Sequence, residues 1–235
     1  FQELRPDFML GCHNIPGKPL GTVLLRKNTF ACASMGLSLT VTGRQSHAAY
    51  PEQGENPVFL LSEIVLALPN LIHHITHGDP ERLLMATVVQ MKVGELNFGV
   101  SAGTGTLALT LRAYRLEDME TLERAILDMA QTGCERAGMT WQSSRQDVFP
   151  DTVNRPVCCV RVADILREHH LLTQVLSEPM RWSEDFGWYL QEVPGMYLGL
   201  GAGEDHCGLH TDGYEFPDAL LEPAINVLET LVRAL

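Results

Sequence analysis

From residue 31 to residue 149 the spacing of apolar residues changes repeatedly, and that order of changes limits the chain to very few folds. Two runs within "GTVLLRKNTFACASMGLSLTVT" (residues 21–42) alternate apolar with small polar residues, which predicts strand, turn at Lys27–Asn28, then a second long strand. "NPVFLLSEIVLALPNLIHHI" then takes the helical period, with Asn56 as the expected N-cap and Pro57 at the first helical position. "RLLMATVVQMKVGEL" and "TGTLALTLRAY" return to period two across a Gly-rich connection and predict an antiparallel pair. "LEDMETLERAILDMAQTGCERAG" is acidic in its first turn and closes on Gly138, the signature of a second helix, and "TWQSSRQDVF" supplies a last strand. Strand, helix, strand, strand, helix, strand is the split β-α-β order of a ferredoxin-like α+β sandwich.

The flanks are of another kind. "RPDFMLGCHNIPG" in front, and "GMYLGLGAG", "HCGLHTDGYEFP" and "ALLEPAINVLETLVRAL" behind, have the character of strand ends and a closing helix of an α/β domain. The expected organisation is therefore an α/β domain in two segments, residues 1–30 and 150–235, interrupted by the α+β unit of residues 31–149. The flanking pieces are too few for a whole α/β domain, so its N-terminal half is expected to lie outside these 235 residues.

Charge narrows the partners. Seventeen Lys and Arg against 29 Asp and Glu give a formal charge of −12, and no basic run is present. Nucleic acid and anionic membrane surfaces are not expected partners. No apolar stretch is expected to match the roughly 20 residues of a membrane span. The six cysteines have no C-x-x-C spacing, which fits a reducing, cytoplasmic compartment better than a disulfide scaffold or a structural zinc site.

Several polar residues stand where α/β folds present chemistry. His13 follows the apolar run "FMLGC" and precedes a Pro-Gly turn; it is either a functional imidazole or a hydrogen-bonded histidine at a strand end. His210, in "GLHTDGYEFP", is placed similarly. His47 sits in the loop "GRQSHAAYP" among small neighbours that let a ligand approach, although an exposed loop histidine reads the same. Glu184 and Asp185, in "RWSEDFGWYL", line a pocket or cap a helix starting near Ser183. The pairs His73–His74 and His169–His170 read as surface residues. "FGVSAGTG" leads into a strand and lacks G-x-x-x-x-G-K-[ST], so it reads as a turn rather than a phosphate cradle.

Taken in order, "CHNIPG-x-x-x-G", "GRQSHAAYPEQGENP", "SEDF" and "GLHTDGYEFP" resemble the metal-dependent amidohydrolases that include aminoacylases, hippurate hydrolase, N-acetyl-diaminopimelate deacetylase and indole-acetyl-amino-acid hydrolases. The similarity runs along almost the whole chain. It implies a zinc-peptidase-like catalytic α/β domain, here partial, interrupted by a lid that often forms the dimer contact. It implies His13 and His210 as metal ligands, and His47 as a lid imidazole that reaches a neighbouring subunit's site and polarises the scissile carbonyl. Glu184 and Asn154 fall near the substrate. Two divalent ions (Zn, Mn, Co or Ni) and an N-acyl or N-aroyl amino acid complete the implied site, in a homodimer formed through the lid.

Two departures stand out. The remaining ligands of such enzymes, in a "C-G-H-D" motif and a Glu-Glu pair whose first member is the general base, belong upstream of His13 and are absent from the sequence. Gly99 also stands where relatives carry the asparagine of "N-V-I-P", so a side-chain donor to the substrate is missing. The chain alone is expected not to turn over substrate. The rival expectation is a non-catalytic binding or dimerisation module derived from such an enzyme.

Overall fold

The computed structural model describes residues 5–79 and 81–235. In chain order its strands are β1 (Met9–Ile15), β2 (Val23–Leu25), β3 (Asn28–Ala31), β4 (Ala33–Thr42), β5 (Ser46–His47), β6 (Leu84–Val93), β7 (Val100–Ser101), β8 (Thr104–Ala113), β9 (Thr140–Phe149), β10 (Thr152–Asn154), β11 (Thr173–Val175) and β12 (Gly195–Gly201). The α-helices are α1 (Val58–Thr76), α2 (Leu116–Ala137), α3 (Pro156–Glu168), α4 (Gly187–Glu192) and α5 (Leu221–Ala234). They form two compact units, one of residues 32–150 and the other of the segments on either side.

In the inserted unit the antiparallel sheet runs β6-β8-β4-β9. Numbered within the unit this is the ferredoxin-like order, first and third strands central, because each helix crosses back over one face. Alternation decides which face: Leu37, Leu39 and Val41 of β4 and Leu107, Leu109 and Leu111 of β8 point under Leu61, Ile64 and Leu68 of α1 and Met119, Leu122 and Ile126 of α2. Each such side chain contributes about 1.5–3 kcal/mol by burial. Asp118 and Glu123 are buried on α2, where Arg82 and Arg145 pair with them.

Helix α2 begins with Glu117 and Asp118 in its first turn and ends at Gly138, which takes the left-handed conformation (φ 67°). Helix α1 starts at Val58, one residue later than the Asn56–Pro57 reading, yet Asn56 still caps it: its Oδ1 accepts the Val58 N–H at 3.0 Å. The length and composition of α1 match a membrane span, contrary to the expectation from sequence. Its Leu60–Leu68 face instead packs into the core of this unit.

The long strand expected to end at residue 42 is broken at Cys32. Its first part, β3, pairs antiparallel with β10, and only β4 enters the inserted sheet. The turn at Lys27–Asn28 is present, with Asn28 at φ 62°.

The flanking unit has a mixed sheet, β1-β12-β2-β11, in which β1 and β12 are parallel. Helices α3 and α5 cover one face through Val162, Leu166, Val227 and Leu231. Phe30, Leu24, Leu190 and Tyr197 form a second cluster, on which Trp182 and Phe186 pack.

Candidate functional site

Parallel pairing of β1 with β12 sets Gly11 opposite Tyr197 and His13 opposite Gly199. The absence of a side chain at Gly11 matters: a Cβ there would lie 2.6 Å from the Tyr197 ring and 2.8 Å from Phe186. The two rings can therefore lie across β1, 5.1 Å apart. Two residues on, His13 leaves the strand half-buried, with its ring 4.9 Å from that of Trp182. Its Nδ1 is 2.7 Å from the Asn14 carbonyl oxygen, which only accepts. That nitrogen therefore carries the proton, and in the neutral ring Nε2 presents a lone pair.

Nε2 faces Glu184, whose Oε1 is 3.6 Å away. The same carboxylate accepts the hydroxyl hydrogen bond of Tyr197. Burial pushes the Glu184 carboxyl above its ordinary range, against the opposing pull of the Tyr197 hydrogen bond and of His13. Tyr197 is pushed up as well, by burial first and by the Glu184 charge second. Glu184 does not cap a helix: α4 begins at Gly187, and it is the Asp185 carbonyl that accepts the Trp188 N–H.

His210 lies exposed on the loop after β12, at φ 61°. This loop is organised by His206, whose Nε2 meets the Glu215 carbonyl at 2.7 Å and whose ring stacks edgewise on Tyr214. Asn14, next to His13, donates from Nδ2 to the Tyr214 hydroxyl and so ties the loop of His210 to the end of β1.

Asn154 is placed otherwise than the resemblance implied. It is fully buried, and its Nδ2 donates to the carbonyls of Arg26 (3.0 Å) and Tyr197 (2.9 Å) while Oδ1 accepts the Tyr197 N–H (2.7 Å). With both amide donors engaged, it clamps β2 and β12 together and has none left for a substrate.

In the inserted unit His47 sits on β5, paired with Val100 of β7. Its Nδ1 accepts the Ala49 N–H at 3.0 Å, so the ring proton is on Nε2. His47 is thus held as an exposed donor, the opposite tautomer to His13. Gly99 precedes β7: its carbonyl accepts the Ala48 N–H (3.0 Å) and its own N–H donates to Asn97 Oδ1 (3.0 Å). A Cβ at Gly99 would meet only Asn97 Oδ1, at 3.4 Å, so the position has room for a side chain. The "FGVSAGTG" stretch is more than a turn, since β7 forms within it.

Sequence reasoning missed Tyr197, Trp182, Asn14 and His206. The one available signal was a lone tyrosine in the otherwise small and apolar run "GMYLGLG".

The donor chemistry suits part of a divalent-metal site. An imidazole whose far nitrogen is fixed by a carbonyl, beside a hydrogen-bonded carboxylate, has the outer-shell support that ligating residues require. Among the described residues no group of three or more His, Cys, Asp or Glu converges. His13 and Glu184 thus fit a metal as a pair and do not complete its coordination.

Residues 32–137 match the family described as the peptidase dimerisation domain. The chain is 28% identical to N-acetyldiaminopimelate deacetylase of Bacillus subtilis over 100% of its own length and 60% of that enzyme. It is 23% identical to hippurate hydrolase of Campylobacter jejuni, covering 95% of this chain and 58% of the relative. The chain therefore spans about three-fifths of the length of these curated relatives. In fold it is similar to the Bacillus subtilis YxeP protein, a dinuclear metal-binding peptidase of the M20 family, with a TM-score of 0.74 at 15% identity over 97% of this chain and 58% of that one. A Staphylococcus aureus structure assigned as an aminohydrolase gives 0.85 at 22%, over 96% and 58%. The chain is thus similar along its whole length to N-acetyldiaminopimelate deacetylase and hippurate hydrolase, and at residues 32–137 to the peptidase dimerisation domain.

Proposed function

We propose that the protein containing this chain hydrolyses the amide bond of N-acyl or N-aroyl amino acids. The observation that carries the reading is the opposed tautomers of its two candidate histidines: His13 presents a lone pair, as a metal ligand must, and His47 presents an N–H. When bound, a pair of divalent ions (Zn, Mn, Co or Ni) would supply an activated water and Lewis acidity. His13 and His210 would hold that centre in part, with Glu184 beside it. His47 would donate from Nε2 to the substrate carbonyl oxygen as negative charge develops there, a contribution of the kind made by oxyanion donors. Gly99, just before β7 and bonded through its carbonyl to the Ala48 N–H, offers that oxygen no side-chain donor.

The dimerisation-domain match supports a homodimer through residues 32–137. Neither nucleic acid nor a membrane surface is a proposed partner, given the charge of −12. Six free cysteines agree with a cytoplasmic setting.

A second reading, a non-catalytic dimerisation module, is favoured by one observation, the lack of three converging metal donors among the described residues. Release of free amino acid from N-acetyl-diaminopimelate and from hippurate separates the two. The chain should be inactive alone. It should become active when extended upstream by a segment bearing the Cys-Gly-His-Asp motif and the Glu-Glu pair. Turnover by the chain alone contradicts the assignment of the base to that segment, and inactivity of the extended protein leaves the module.

A further inference from the structure

We propose that Glu184 is itself a metal ligand, sharing one divalent cation with His13 and fixed for that task by the Tyr197 hydroxyl. The inference rests on the metallo-amidohydrolase reading for the class of cation and adds a donor to it.

The geometry of the pair carries the argument. His13 Nδ1 is bound to the Asn14 carbonyl, so the nitrogen facing Glu184 is the one with the lone pair. The imidazole nitrogen and the carboxylate oxygen thus face each other at 3.6 Å, with side chains 27% and 19% exposed. A divalent cation between the two would take both as donors. The spacing suits one: two donors at about 2.0–2.1 Å from a tetrahedral ion stand roughly 3.3 Å apart. Both ends are braced from outside, the imidazole by a backbone carbonyl and by the face of Trp182, the carboxylate by Tyr197. Gly11 makes room for the tyrosine that does the bracing. One nitrogen and one carboxylate oxygen suit Zn, Mn or Co, and the other coordination positions stay open to water, substrate or further protein donors.

The test is Co²⁺ and Zn²⁺ binding to the 235-residue chain, by calorimetry and by the visible absorption of bound Co²⁺. The proteins compared are the parent and the His13→Ala, Glu184→Gln, Glu184→Asp and Tyr197→Phe variants, each checked for parental circular dichroism. His13→Ala and Glu184→Gln should each weaken Co²⁺ by at least tenfold and alter its spectrum. Glu184→Asp should recover part of the loss, and Tyr197→Phe should cost about 10–100-fold, the range for outer-shell partners. If His13→Ala loses the metal while Glu184→Gln keeps parental affinity and spectrum, Glu184 is no ligand, and the amidohydrolase reading stands untouched. Parent chain that binds no Co²⁺ at millimolar concentration, or binding indifferent to both changes, overturns the pair. The amidohydrolase reading is decided separately, by amino-acid release.

Discussion

Replacing Asn154 by alanine should unfold the flanking unit far more readily while leaving the inserted unit unchanged. The side chain is fully buried and makes three hydrogen bonds, two donated to the Arg26 and Tyr197 carbonyls and one accepted from the Tyr197 N–H. Removing it strands a buried N–H, at about 1–3 kcal/mol. It also takes a partner from two carbonyls and opens a small cavity, adding about 1–2 kcal/mol. The expected loss is about 2–5 kcal/mol, in the range that singles out a buried network. Asn154→Asp should be no gentler, because it sets a carboxylate oxygen against two carbonyl oxygens. Urea unfolding followed through Trp182 and Trp188 in a Trp141→Phe background reads the flanking unit by itself. Hydrogen exchange at the Tyr197 amide reports the broken bond. A loss under about 0.5 kcal/mol with the Tyr197 amide still protected would refute the clamp.

Other outcomes follow from the same structure. Gly11→Ala should cost about 1–3 kcal/mol, since its Cβ would stand 2.6 Å from the Tyr197 ring, and a thermal scan at parental stability would count against that packing. Gly99→Asn should fold with stability within about 0.5 kcal/mol of the parent because the position is open, and in an active extended protein it should lower KM for N-acyl amino acids. In the same protein His47→Ala should reduce kcat by about 10²–10³-fold with the dimer intact by sedimentation. Cys159 is pushed up to about 11, by burial first and Cys158 second. The stability it contributes is complete below its ordinary 9.0 and is lost as pH rises through about 11. At pH 8 a thiol reagent should therefore label exposed Cys207 quickly and Cys159 only after denaturation.

The inserted unit was legible because its central elements are amphipathic: the periods of β4, α1, β8 and α2 each state which face is inward. The break at Cys32 was not, since β3 and β4 share one alternating pattern and differ only in which distant strand they meet, β10 or β8. Helix α4 begins at Gly187 rather than near Ser183 because the Glu184 side chain turns to Tyr197 and His13, partners 13 residues ahead and far behind, so its cap-like sequence misled. His13 and His47 could be picked from their neighbours, but their tautomers rest on carbonyl and amide groups that only the folded backbone aims. Asn154 was misplaced for a similar reason: an asparagine that clamps strands and one that meets a ligand have the same local sequence.

The short ladder of β3 with β10, joining Ala31 to Thr152, has a consequence for biosynthesis. It brings together the two points at which the inserted unit enters and leaves its host. Once residues 32–150 have collapsed on the ribosome, the long gap between β2 and β10 behaves as a tether a few residues wide, and its closure entropy has already been met within the insert. Strand β1, on one side of the insert, waits for β12 on the other. The His13 imidazole and the Glu184 carboxylate, 3.6 Å apart in the fold, are therefore made on opposite sides of the insert and can meet only once it has been synthesised.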